Sequence, residues 1–290
     1  MKHGKVISIL VIGIVIIAGL ATVTGIYSSG GTGEYDYQTI RGHMVKIYGK
    51  GLYKHMSSDV AIQGIAQDYI TLFLGIPLLL LSLISARRGS KRALFLLSGT
   101  LGYFFLTYLF YTAMAMYNIM FSAYVLLLSM SFFAFVLTLP SLGIETIKEN
   151  LRSEKLLKNA GVFLMINASL IALLWLSVII PPLLNGTIVP PDVQHYTTLI
   201  VQGYDLAIFL PLAFVSGWLA IKKSSLGYAA TTIYMIFLTI LMTSLNSKII
   251  FMAKAGANVI PVIFIMPAIA MISITFSVLL LRNLQSGNLK

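Results

Sequence analysis

The sequence predicts an all-α protein, a polytopic membrane bundle of about eight transmembrane helices. Three observations carry this. Of 290 residues, 58% are hydrophobic and 10% charged, where a soluble domain carries about 25% charge. Apolar runs of about 20 residues recur along the chain, the length that crosses a bilayer core. The basic residues gather in short loops between those runs, where they orient helices and meet anionic headgroups. This pattern excludes a soluble enzyme, a disordered tail and a nucleic-acid-binding domain, and gives the net charge of +11 a membrane explanation. The chain has no cysteine, so disulfides, thiolate catalysis, Fe–S clusters and Cys-type zinc sites are excluded. No cofactor is expected. The partners expected are the lipid bilayer and a small-molecule solute, with no nucleic acid; the oligomeric state is left open.

Taken in order, the spans read as 6–26, 59–86, 93–115, 119–140, 161–181, 197–221, 226–250 and 259–281. The first has a basic start and small residues, as a signal peptide has, but its apolar run is too long for one, so a retained helix is expected. With the N-terminus inside, the Lys and Arg residues divide about fourteen to six in favour of the inner side. The reading is a cell-membrane protein with both termini cytoplasmic.

The longest outer loop, 27–58, pairs Tyr35–Ile40 with Met44–Tyr48 around a turn at Arg41-Gly42-His43. Aromatic and β-branched residues about a glycine turn predict a short β-hairpin. Ser57 or Ser58 is expected to cap the second span. The inner loop 143–160 alternates acids and bases (Glu145, Lys148, Glu149, Glu154, Lys158) and reads as a solvated helical linker.

The whole chain reads as one membrane domain, with halves 1–142 and 161–290 that share features. Asp68, Pro77, Ser82 and Arg87-Arg88 in the second span are echoed by Asp205, Pro211, Ser216 and Lys222-Lys223 in the sixth. Leu101-Gly102-Tyr103 is matched by Leu226-Gly227-Tyr228. Four spans per half would make this a parallel repeat; chance matching between leucine-rich spans is the other reading.

The stretches Arg41–Tyr53, 67–81, Thr197–Asp205 and Leu210–Phe214 resemble a widespread family of uncharacterised prokaryotic polytopic integral membrane proteins. That resemblance implies the fold and brings no activity, substrate or catalytic residue.

Ionisable residues inside spans are the functional pointers in such a protein. They are Asp59, Asp68, Asp205 and Lys248. Asp68 lies roughly 28 Å from Arg87, and Asp205 roughly 25 Å from Lys222, at 1.5 Å per residue. Both acids are therefore expected near the outer edge of the hydrocarbon. Asp59, Gln63 and Gln67 follow i, i+4, i+8, with Asp68 adjoining; His195, Thr198, Gln202 and Asp205 follow i, i+3, i+7, i+10. Each set would share one helical face. These faces would meet in an outward polar pocket between the second and sixth helices, or serve as interfacial anchors, the acids near helix N-termini favouring the dipole.

Lys248 could pair with either acid or snorkel to headgroups, the better reading for a lone lysine. Asn167 reads as an interhelical hydrogen-bond partner. His55, Asp59 and His195 form a weak candidate for a divalent metal, because the spacing lacks a zinc motif; no metal is favoured. Tyrosines crowding the outer side, among them Tyr27, Tyr53, Tyr111 and Tyr117, read mostly as an interfacial belt. Three functions stay open: a small-solute transporter or permease, a membrane-embedded enzyme or ligand sensor with an extracytoplasmic site, and an accessory subunit.

Overall fold

A computed structural model describes residues 1–147 and 151–284. Eight of its helices are long and apolar enough to cross a membrane: α1 (Gly4–Tyr27), α2 (Ser58–Arg87), α3 (Lys91–Met114), α4 (Phe121–Ser141), α5 (Glu154–Leu184), α6 (Ile200–Ile221), α7 (Ser225–Lys254) and α8 (Val262–Asn283). Strands β1 (Tyr35–Gln38) and β2 (Met44–Ile47) form an antiparallel hairpin with Gln38 opposite Met44. The all-α bundle with a small hairpin is therefore the observed architecture. Hydrogen bonds between distant segments fix its two ends. At the hairpin end the Arg41 guanidinium donates to the carbonyls of Gln194 and Tyr196. At the basic end Arg92 donates to the Leu284 carbonyl and the Ser153 amide to Asn283.

The boundaries depart from expectation in three places. The residue before α5, Ser153, accepts a bond from the Leu156 amide, so the helix begins seven residues ahead of the expected span and takes in the last seven residues of the expected linker. Before it, the described part of the linker holds a 3-10 turn at Ile144–Thr146 and an isolated antiparallel bridge from Leu151 to Leu284; Lys148 and Glu149 lie outside the described residues. The same helix continues through Pro181 and Pro182 to Leu184. A proline there removes one amide donor while keeping helical dihedrals, which the last turn tolerates. Helix α6 starts at Ile200, leaving His195 and Thr198 in the preceding loop. Ser57 is the N-cap of α2 but makes no capping bond; its amide and hydroxyl meet the Tyr196 hydroxyl instead.

Both α2 and α6 carry one π turn, Thr71–Gly75 and Asp205–Phe209, each ending just before an Xaa-Pro pair. The prolines Pro77 and Pro211 cannot donate, and their rings crowd the carbonyl four residues back. The chain accommodates them by widening one turn: Ile76 donates to Thr71 and Leu210 to Asp205, each five residues back. These features recur at a constant offset of 134 residues, from Thr71 to Asp205 and from the N-cap Ser90 to the N-cap Ser224. Under that offset Asp205 corresponds to Thr71, not Asp68, and the Leu-Gly-Tyr match falls out of register.

The helices also pack in the same order, α1–α2–α3–α4 and α5–α6–α7–α8, with α3 against α7 joining the sets. Small residues permit close approach: a Cβ on Gly161 of α5 would lie 2.6 Å from the Gly217 carbonyl of α6. One relation is not shared. Helices α1 and α4 pack along each other, whereas α5 and α8 scarcely touch.

Candidate functional site

A cavity of about 280 Å³ lies in the hairpin-end half of the bundle, bounded by α2, α3, α5, α6 and α7 with Met266 of α8. Its wall is mostly apolar, and Tyr53 and Met56 of the hairpin loop contribute to it. Two charged residues face it, Asp205 and Lys248. Asp205 opens the π turn of α6, and the Trp175 indole N–H of α5 donates to its Oδ2 across 2.9 Å. Lys248 is half-buried and, among the described residues, has no carboxylate within ion-pair distance of its Nζ. It thus turns into the protein instead of snorkelling to headgroups, as expected for a lone lysine. Gln63 and Asn167 also face the cavity.

The expectation that the second and sixth helices pack directly, polar face on polar face, is corrected. The hairpin-end half of α2 packs on α7 and that of α6 on α3, and the cavity lies between them. Gln67 shows why. Its amide donates to Tyr103 (2.9 Å) and Thr107 (3.0 Å) of α3 and accepts from Ser244 of α7. Thr71 completes this knot by bonding the Tyr103 hydroxyl at 2.8 Å. Gln67 touches the cavity wall, but its amide bonds are spent on structure.

Asp68 does not face the cavity. It is 1% exposed and turns towards α1. The Tyr53 hydroxyl donates to one carboxylate oxygen (2.6 Å) and Tyr111 to the other (3.0 Å). These two bonds tie the loop to α2 and α3. Burial first, and then the neighbouring Asp68 carboxyl, pushes the Tyr53 phenol well above its ordinary value, so it remains a donor. The anchor reading of Asp68 is therefore overturned, as is the belt reading of Tyr53 and Tyr111; Tyr27 and Tyr117 do stay exposed.

The remaining candidates lie elsewhere. Asp59 is exposed at the start of α2, and Gln202 is half-buried off the cavity. With His195 in the loop, the expected four-residue polar face of the sixth helix does not form. The His195 ring is 6.2 Å from Tyr37 and bonds the backbone carbonyl of His55 at 3.1 Å. Burial lowers its pKa, partly offset by that bond. His55 thus offers His195 a carbonyl and not its ring. Among the described residues no three His, Cys, Asp or Glu side chains gather into a metal site, so His55, Asp59 and His195 are not brought together as ligands.

Sequence reasoning missed Trp175. Its signal was depth: it lies roughly 14 Å inside the end of α5, where an interfacial tryptophan would not. Tyr53 and Tyr111 as partners of Asp68 left no local signal, because the three residues come from a loop and two helices. The chain matches no family model, no curated protein and no solved structure.

Proposed function

We propose that the cavity is the ligand chamber of a permease for amphiphilic organic solutes with an apolar body and a zwitterionic end. One observation carries this: Asp205 and Lys248, opposite charges without a direct ion pair to each other, face one mostly apolar chamber in the hairpin-end half of the bundle. Ionisable residues inside membrane spans that face a cavity mark solute or ion pathways, and a pocket with few convergent polar groups is the usual form of a ligand site. The proline-linked π turns in α2 and α6 supply the broken-helix hinges that carriers use near their binding sites. We also place the basic end in the cytoplasm and the hairpin outside the cell, on the bias of Lys and Arg.

A second reading has one feature in its favour. Beneath the chamber α3 and α7 cross tightly, with Gly99 against Ile236, which suits a closed cup and hence a ligand sensor. Flux separates the two. Purified protein in proteoliposomes should be tested against labelled medium-chain amino acids, carboxylates and amines. Saturable uptake that Lys248→Met reduces about ten-fold or more, equal to about 1.4 kcal/mol, is the expected result. Saturable binding without uptake would support the sensor, and neither binding nor uptake would remove the chamber reading.

A further inference from the structure

From the difference between the two four-helix sets, we infer that the chamber opens sideways into the bilayer between α5 and α8, and that its ligand is a lipid with a zwitterionic headgroup. The inference rests on the chamber being a ligand site. In the first set α1 and α4 close on each other along their lengths; in the second, the corresponding α5 and α8 scarcely meet. Their described ring contact, Phe163 with Phe276 at 5.6 Å, lies towards the basic end. Towards the hairpin end the chamber is bounded by Leu174 of α5 and Met266 of α8. Leu174 is both a wall residue and 51% exposed, so the wall itself reaches the lipid-facing surface there.

Beside these wall residues Leu170 and Leu173 on α5 and Ile265 on α8 are exposed, so apolar surface continues outward from the chamber. At membrane depth such a surface is covered by acyl chains. The chamber volume, about 280 Å³, is at the low end for a whole ligand and suits a headgroup whose tail stays in the seam. Its charges select the headgroup. An ammonium would meet the free carboxylate oxygen of Asp205 and an acidic group would meet Lys248, so that each half-buried charge gains a partner. A purely anionic or cationic lipid would satisfy one charge and oppose the other.

Tryptophan fluorescence tests this, because the chain has two tryptophans and Trp218 is 47% exposed on α6. In nanodiscs of unbrominated phosphatidylglycerol, an anionic host lipid that does not compete as a zwitterion, Trp218→Phe leaves Trp175 in the chamber wall as the reporter. Lysophosphatidylethanolamine with a brominated tail should quench it saturably at low mole fraction, and a brominated fatty acid or alkylamine about ten-fold less effectively. Lys248→Met should weaken the saturable phase about ten-fold. Leu174→Phe, at the mouth and away from the charges, should weaken lipid quenching while sparing the spectral shift caused by tail-less glycerophosphoethanolamine. Quenching that rises linearly with lipid and ignores both substitutions would overturn the inference. A Lys248-dependent shift with the tail-less headgroup alone would keep the chamber and reject the lateral opening; no response to either probe would reject both.

Discussion

Gly25 of α1 backs onto the Asp68 carboxylate of α2: a Cβ on Gly25 would lie 1.9 Å from Oδ2 and 2.8 Å from the Tyr53 hydroxyl. Asp68 cannot yield, because two tyrosine hydroxyls hold its oxygens. Gly25→Ala should therefore destabilise the protein by about 1–3 kcal/mol through overpacking. Gly19→Ala on the same helix, where a Cβ meets nothing within 4 Å, should be neutral or slightly stabilising. Thermal unfolding in detergent checks the pair; equal melting of both variants would contradict the sealed position of Asp68.

Gln67 and Gln63 are one turn apart on α2 and should separate structure from site. Gln67→Leu strips partners from buried hydroxyls on α3 and α7, and leaving such groups unpaired costs about 1–3 kcal/mol each. Gln63 makes no described hydrogen bond, so Gln63→Leu should stay within about 0.5 kcal/mol of the parent while altering binding to the chamber. Denaturation and ligand titration on the same preparations test this. Loss of stability from Gln63→Leu with none from Gln67→Leu would reverse the assignment.

The docking of the hairpin on the 185–199 loop should weaken in acid. The native His195 has a lowered pKa because burial disfavours its cation. Above the ordinary histidine value of about 6.5 the ring is neutral docked or undocked, and the contribution is fully present. As pH falls through the lowered native value, the undocked loop has taken the proton first and that contribution is lost. Hydrogen exchange across 35–47, corrected for its intrinsic pH dependence, should accelerate on acidification, and His195→Gln should remove the step. An unchanged pH profile in that variant would exclude His195 as the cause.

Orientation can be read by cysteine labelling, since the native chain has no thiol. Thr32 is exposed at the hairpin end and Arg88 at the basic end. In whole cells an impermeant maleimide should label Thr32→Cys and spare Arg88→Cys until the membrane is opened. The reverse result would invert the proposed topology.

The sequence by itself determined the number and order of the helices, the hairpin turn and the paired prolines, because these follow from local rules. A run of about 20 apolar residues spans a bilayer wherever it occurs, and a proline disturbs its own turn whatever surrounds it. The residues later found at the site were mostly visible as polar groups in apolar runs. Only the tertiary structure decided which way each one turns. Asp68 and Gln67 are adjacent in sequence and about 100° apart around the helix axis. One meets Tyr53 and Tyr111, the other Tyr103, Thr107 and Ser244. Helical spacing assigns residues to a face but does not name the neighbour that covers it. Lys248, which pattern alone would send to the headgroups, faces the chamber with Asp205 because α7 packs against α2, α3 and α6 on several sides.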